Sequence, residues 1–283
     1  MKRRLLFYTL FMLIGSAQVF AQNGLTYLNY NILEGFKSDS SLKADFVTWV
    51  KEIDPDIIAL QETNKFTQRS LEVFASSYGH PYAVLAKESG YPVAITSKYP
   101  IVNVQKVLDN MWHGYLYANV LDYHLFVLHL SPFLQEKRNY EIVQILAHIR
   151  LLPKNAKIIV SGDFNAVSEL DKHTHTATLI ELMKESEATH AHIRNLKNGQ
   201  IDYDVIRKVM DAGFVDVFYQ RHKKFKSSLP TARYRTEKSF DRRIDFIFVS
   251  KNLSKKVVDA DIIKDQYTDY LSDHYPVIMR LNQ

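Results

Sequence analysis

The sequence predicts an α/β (α+β) fold in which two packed sheets are flanked by helices, and three observations carry that expectation. Short apolar, β-branched runs alternate with amphipathic stretches along most of the 283 residues. No internal repeat, low-complexity tract or linker interrupts them, so a single domain is expected. The chain has no cysteine, which leaves a hydrophobic core as the source of its stability. It is long enough to build one.

Taken in order, the first strand is expected over 26–31, and an amphipathic helix over 42–52 leads through Asp54 and Pro55 to the apolar run 57–61. A helix over 68–76 precedes strands over 82–86 and 92–97. Strand patterns at 116–121 and 124–129 meet at Asp122 and Tyr123, which read as a tight hairpin. The stretch 135–152 predicts a helix. Lys157, Ile158, Ile159, Val160 and Ser161 then form a buried β-branched strand that stops at Gly162. Helices over 176–184 and 203–212, with strands over 245–249 and 276–281, complete the pattern.

The first 21 residues stand apart. Lys2, Arg3 and Arg4 precede an apolar core from Leu5 to Ile14, and small residues lead to Val19, Phe20 and Ala21, the pattern of a cleaved signal peptide. That core is shorter than the roughly 20 residues that span a bilayer. The expectation is a signal peptide over 1–21, a mature domain over 22–283, and export to the periplasm or the exterior. The formal charge of +5 falls to +2 without the three basic residues of this leader, so general attraction to polyanions is weak and must come from local patches. One candidate runs from Arg221 to Arg243, with nine Lys or Arg against Glu237 and Asp241. A larger anionic substrate bound through Arg233 and Arg235 is one reading, and a solvated basic loop the other.

Three separated stretches end apolar runs in groups able to hold a metal: Leu60-Gln61-Glu62, Ser161-Gly162-Asp163-Phe164-Asn165, and Ser272-Asp273-His274. Ahead of them lies Tyr27 to Leu33 with Asn31, between them Leu125 to Leu130 with His129, and before the last Arg243 to Phe248 with Asp245. This ordered set, spanning about Leu25 to Arg280, resembles the endonuclease/exonuclease/phosphatase superfamily of deoxyribonuclease I-like, metal-dependent phosphoesterases.

The resemblance implies a four-layer α-β-β-α sandwich with the site at one edge. It implies Glu62, Asn31 and Asp273 on the metal side, Asp163 activating water, and Asn165 holding that water or a phosphoryl oxygen. His274, oriented by Asp245, would contact the phosphate, with His129 on the opposite side. Apart from the resemblance, His113 between Trp112 and Gly114 is another candidate phosphate contact, with a solvated loop position equally open to it. Oxygen ligands without thiols suit magnesium first, manganese next, and calcium as a helper. Each residue also has a plainer role open to it: a strand-end cap for Asn31, an Asx turn for Asp163 and Asn165, a surface turn for Asp273 and His274, a core position for His129. His173, His175, His190 and His192 raise a zinc alternative, which loop and helix spacing disfavours.

The chain lacks a Gly-x-Ser-x-Gly elbow, a phosphate-cradling Gly-x-x-x-x-Gly-Lys loop and a His-Glu-x-x-His helix, which disfavours serine hydrolases, nucleotide-driven enzymes and zincins. Within the superfamily, Ile32 and Leu33 after Asn31 look more like the branches of deoxyribonuclease I, neutral sphingomyelinases and inositol-phosphate phosphatases than like abasic-site nucleases. The expected activity is hydrolysis of a phosphodiester or phosphomonoester by a monomer, with nucleic acid and an anionic lipid surface both open as partners. The alternative is a phosphate-binding module without turnover.

Overall fold

The computed structural model describes residues 24–282, so the expected signal peptide lies outside the described residues. Among the described residues, fourteen strands form two six-stranded sheets and a small hairpin. The first sheet contains β1 (Leu25–Asn31), β2 (Ile57–Gln61), β3 (Tyr82–Leu85), β4 (Ala94–Ser97), β13 (Val257–Ile262) and β14 (Val277–Leu281), in the order β13-β14-β1-β2-β4-β3. The second contains β5 (Ile101–Val107), β6 (Tyr115–Val120), β7 (Tyr123–His129), β8 (Lys157–Asp163), β11 (Phe214–Asp216) and β12 (Asp245–Ser250), in the order β11-β12-β8-β7-β6-β5. The hairpin pairs β9 (Leu196–Lys197) with β10 (Gln200–Ile201).

Each sheet has one parallel pair at its centre, β1 with β2 and β7 with β8. All other pairings are antiparallel. The inner faces meet in one core in which Tyr27, Ala59 and Val277 of the first sheet join Val127, Ile159 and Ile247 of the second. A buried hydrogen bond between the Tyr27 hydroxyl and Ser161 Oγ, 2.7 Å long, ties the sheets together. The outer face of the first sheet packs on helices Ser40–Ile53 and Gln68–Ser77, and that of the second on Gln135–Ile149 and Asp204–Asp211. The fold is the expected four-layer α-β-β-α sandwich.

The strands absent from the sequence pattern have a common cause. β5, β11 and β13 are sheet edges, and apart from the short hairpin they are the added strands. An edge strand needs no continuous apolar run: β5 carries exposed Asn103, Gln105 and Lys106, and β13 carries Asp259 and Asp261. The hairpin turn lies one residue earlier than expected, at Leu121 and Asp122, because Tyr123 already pairs with Val120. The helix expected over 135–152 stops at Ile149, four residues before Pro153, and that expected over 176–184 continues to Thr189.

Candidate active site

Because each parallel pair runs the same way across its sheet, the carboxyl ends of β1, β2, β7 and β8 converge on one edge of the sandwich. Asn31, Glu62, His129 and Asp163 are placed there. Two antiparallel strands bring their beginnings to the same edge: Asp245 opens β12 directly opposite Asp163, and His274 precedes β14. Together with Leu33, Glu34, Lys87, Tyr91, Trp112, His113, Phe133 and Asn165, most of these groups line a cleft of about 490 Å³.

Asp163 is the hub. Asn31 Nδ2 donates to Asp163 Oδ2 and to Glu62 Oε1, at 3.1 Å each, joining the two sheets across the site. The Asn165 backbone N–H donates to Asp163 Oδ1 at 2.8 Å, and Asn165 Nδ2 donates to the Leu130 carbonyl at 3.1 Å. His129 Nε2 lies 3.5 Å and His274 Nε2 3.8 Å from Asp163 Oδ2. His274 Nδ1 donates to Asp245 Oδ2 at 2.8 Å, and the same oxygen accepts from Ser228 Oγ at 2.7 Å. Ser228 Oγ also accepts from the backbone N–H groups of Ile244 and Asp245, fixing the orienting carboxylate.

The backbone is bent to hold these groups. Gly162 has φ +151, and a Cβ there would stand 1.9 Å from the Leu128 carbonyl oxygen of β7, so only glycine lets β8 approach β7 this closely just before Asp163. Six successive residues from Leu33 to Ser38 have positive φ. Left-handed backbone costs roughly 1–2 kcal/mol per non-glycine residue. This turn aims the Glu34 N–H at Glu62 Oε2, 3.0 Å away, while Gly35 N–H reaches the Glu62 carbonyl. Glu62 and Asn165 themselves have positive φ. Strain of this kind persists where surrounding contacts over-determine the backbone.

Burial pushes the Asp163 carboxyl up to about 7, helped by Asp245 and Glu62 and opposed by His274. Burial likewise raises Glu62 against the opposing pull of His274 and Asn31. Burial alone would depress His274, but Asp245, Asp273 and Asp163 outweigh it and hold the ring well above the ordinary histidine range. His129 goes the other way, kept neutral by burial and by neighbouring His113 and His274. Its ring stacks on His113 with centroids 4.2 Å apart, and burial holds His113 down to about 4.

The donor set fits a hard divalent cation. Among the described residues none of Glu62, Asp163, Asp245 and Asp273 has a lysine or arginine within ion-pair distance, and one buried Asp245 oxygen has no hydrogen-bond partner. Such excess buried negative charge is what oxygen-ligated magnesium or manganese offsets. Carboxylate oxygens of Asp163 and Asp245 lie within 4.8 Å of one another, and Asn31 bonds both Asp163 and Glu62 beside them. Asp273 stands at the margin: its Oδ1 accepts from Ser272 Oγ, and its side chain lines a neighbouring cleft of about 530 Å³.

The basic segment packs beside the site, and three of its nine basic side chains are committed to carboxylates. Arg243 is buried between Asp171 and Asp216, Arg235 pairs with Asp241, and Lys226 pairs with Asp261. Arg233 reaches the Tyr270 carbonyl, and neither Arg233 nor Arg235 lines the cleft of about 490 Å³. Arg242 and Lys238, which the sequence reading did not single out, line the neighbouring cleft. His175 bonds the Tyr203 hydroxyl, and His190 and His192 pack ring to ring, so the four histidines of the zinc alternative do not gather. Ser228, Lys87, Tyr91 and Phe133 also went unread, since each reaches the site through a loop with no motif of its own.

Comparison with known proteins agrees with this architecture. A family model described as Endonuclease/Exonuclease/phosphatase family matches residues 28–274. An exodeoxyribonuclease of Bacillus subtilis is 26% identical over 257 residues, covering 85% of this chain and 93% of that protein. Among solved structures, an AP endonuclease from Archaeoglobus fulgidus superposes with a TM-score of 0.70 at 20% identity, covering 92% of this chain and 100% of that one. The 3′ phosphatase NExo from Neisseria, bound to product DNA hairpin, does so with a TM-score of 0.68 at 19% identity and the same coverage. These relatives carry exonuclease, AP-endonuclease and phosphatase names, whereas the residues after Asn31 pointed toward the deoxyribonuclease I and sphingomyelinase branches.

Proposed function

Since the chain belongs to the endonuclease/exonuclease/phosphatase family and is a phosphoric ester hydrolase of that type, we propose that it is an exported, divalent-metal-dependent phosphodiesterase acting on nucleic acid. The observation that carries this reading is the convergence of Asn31, Glu62, His129, Asp163, Asp245 and His274 at one edge of the sandwich, beside or in one cleft. The likeness to an exodeoxyribonuclease along most of both chains favours nucleic acid over a lipid headgroup.

A phosphodiester repels an incoming nucleophile, so the site must offset charge on the phosphoryl oxygens and deliver a deprotonated water. Glu62 and Asn31, with Asp273 behind them, would hold a magnesium or manganese ion, which when bound supplies Lewis-acid charge neutralisation. Asp163 is the base: its raised pKa suits proton abstraction near neutral pH, and its bonds from Asn31 and Asn165 fix the direction of its free lone pairs. His274, kept protonated by Asp245, presents Nε2–H to a phosphoryl oxygen, where developing charge strengthens the bond. Neutral His129, with His113 stacked behind it, donates from the opposite wall. Asn165 retains one amide proton for the water or the phosphate. A phosphate-binding module without turnover would not need a base flanked by two histidines and a carboxamide.

The test is a substrate panel in magnesium: single-stranded and duplex DNA, RNA, sphingomyelin, inositol phosphates and p-nitrophenyl phosphate. Hydrolysis of a nucleic acid with the other substrates inert is the expected result. Selective hydrolysis of sphingomyelin or an inositol phosphate would replace the substrate assignment. Export is tested by mass spectrometry of the protein from its native host, which should find an N-terminus at or near Gln22; an intact Met1 in the cytoplasmic fraction would refute it.

A further inference from the structure

One wall of the catalytic cleft is aromatic. Trp112 and Phe133 line it, their rings 5.8 Å apart and nearly perpendicular at 74°. Phe133 in turn meets His192 edge to face at 4.9 Å. Trp112 is 40% exposed, unusual for the largest apolar side chain, and Tyr91, whose ring lies 5.2 Å from that of His113, is 38% exposed. From Trp112 the wall continues through His113 to His129, which lies 3.5 Å from Asp163. An exposed aromatic surface thus begins where the phosphate-handling groups end.

This wall is held rigidly. Glu141, fully buried on helix Gln135–Ile149, accepts from the Trp112 N–H with one carboxylate oxygen and from the Ser131 N–H, at 2.9 Å, with the other. One turn earlier, buried Arg138 donates to the Ser131 carbonyl at 3.0 Å and to Asn195 Oδ1 at 2.7 Å. Asn195 Nδ2 reaches the Pro132 carbonyl at 3.1 Å, and the Arg194 N–H reaches the Phe133 carbonyl at 2.7 Å. A buried carboxylate and a buried guanidinium spent on the backbone of two loops are costly unless those loops must stay fixed.

We propose that Trp112 and Phe133 form a stacking wall for an unpaired nucleobase next to the scissile phosphodiester, which makes single-stranded or frayed nucleic acid the substrate class. This rests on the phosphodiesterase reading above. Aromatic side chains hold bases of single strands through their π faces with little regard to sequence, whereas a base paired in a duplex cannot turn its face to them. Half-buried Phe133, set into the wall rather than protruding, suits stacking better than insertion into a bilayer.

The chain has two tryptophans, and Trp49 is buried with its indole N–H bonded to Asp265, so Trp112 is the one that a ligand can reach. The experiment titrates Asp163→Asn protein in magnesium, so that the strand stays intact, and reads tryptophan emission. A single-stranded oligonucleotide should quench it saturably. The same strand with abasic sugars flanking the target phosphate, or paired into a duplex, should bind roughly tenfold more weakly. Phe133→Ala in this background should shift the single-strand midpoint by a similar factor, with Trp49 emission reporting that the fold is kept. Equal quenching by abasic and base-bearing strands overturns the proposal, as does a blue shift on anionic phospholipid vesicles without quenching by any strand. A parallel magnesium assay of wild-type protein separates the failures: cleavage of the strand without quenching sinks the stacking wall alone, whereas no cleavage of any phosphodiester sinks the underlying reading and the wall with it.

Discussion

At Asp163 a single carboxylate gathers contacts from Asn31, Asn165, His129 and His274. Asp163→Asn keeps the side chain's size but removes the charge that the proposed mechanism uses to deprotonate water, so turnover should fall by roughly 100-fold or more with the fold retained, as read by steady-state kinetics alongside circular dichroism. His274→Ala should lose a comparable factor in kcat rather than in KM, because its bond to the phosphoryl oxygen strengthens in the transition state. Near-normal kcat in folded Asp163→Asn protein would exclude that residue as the base. The residues that meet here were legible in the sequence because each terminates or opens an apolar strand, where a carboxylate, amide or imidazole is out of place unless used. Ser228 was not legible: its bond to Asp245 closes a loop of 17 residues, and nothing in the local pattern announces that closure. Trp112 and Phe133 were hidden for a similar reason, since only the helix carrying Glu141 brings their two loops together.

Among the elements, the two central parallel pairs do the positioning, and their spacing depends on Gly162. Gly162→Ala would drive a Cβ into the Leu128 carbonyl, and since both are backbone in buried strands, neither can step aside cheaply. The expected cost is about 1–3 kcal/mol, seen as a melting temperature lower by several degrees, with turnover reduced further because Asp163 follows directly. An unchanged melting temperature and rate would show that β7 and β8 tolerate separation and are not what aligns the base. Central strands were readable because they are buried on both faces and so are apolar throughout. β5 and β13 were not, because at an edge the backbone pairing with β6 or β14 carries the strand even where polar side chains interrupt the apolar run. The left-handed turn from Leu33 to Ser38 was equally unreadable: Gly35 is its only glycine, so the conformation is imposed by Glu62 and by packing rather than by propensity.

Over the whole molecule, charge is distributed by fold rather than by sequence. The segment from Arg221 to Arg243 looked like a contiguous basic patch, yet folding spends Arg243 and Lys226 on Asp171, Asp216 and Asp261, outside the segment. Linear charge counting cannot see partners 27 to 72 residues away. The carboxylates at the candidate site have no lysine or arginine within ion-pair distance among the described residues, and this is why a cation is central to the account. The most direct measurement is the initial rate of bis-p-nitrophenyl phosphate hydrolysis by wild-type protein after EDTA treatment, then after addition of magnesium or manganese. The account predicts that the rate vanishes in EDTA and returns with either ion, and full turnover in the chelator would contradict it.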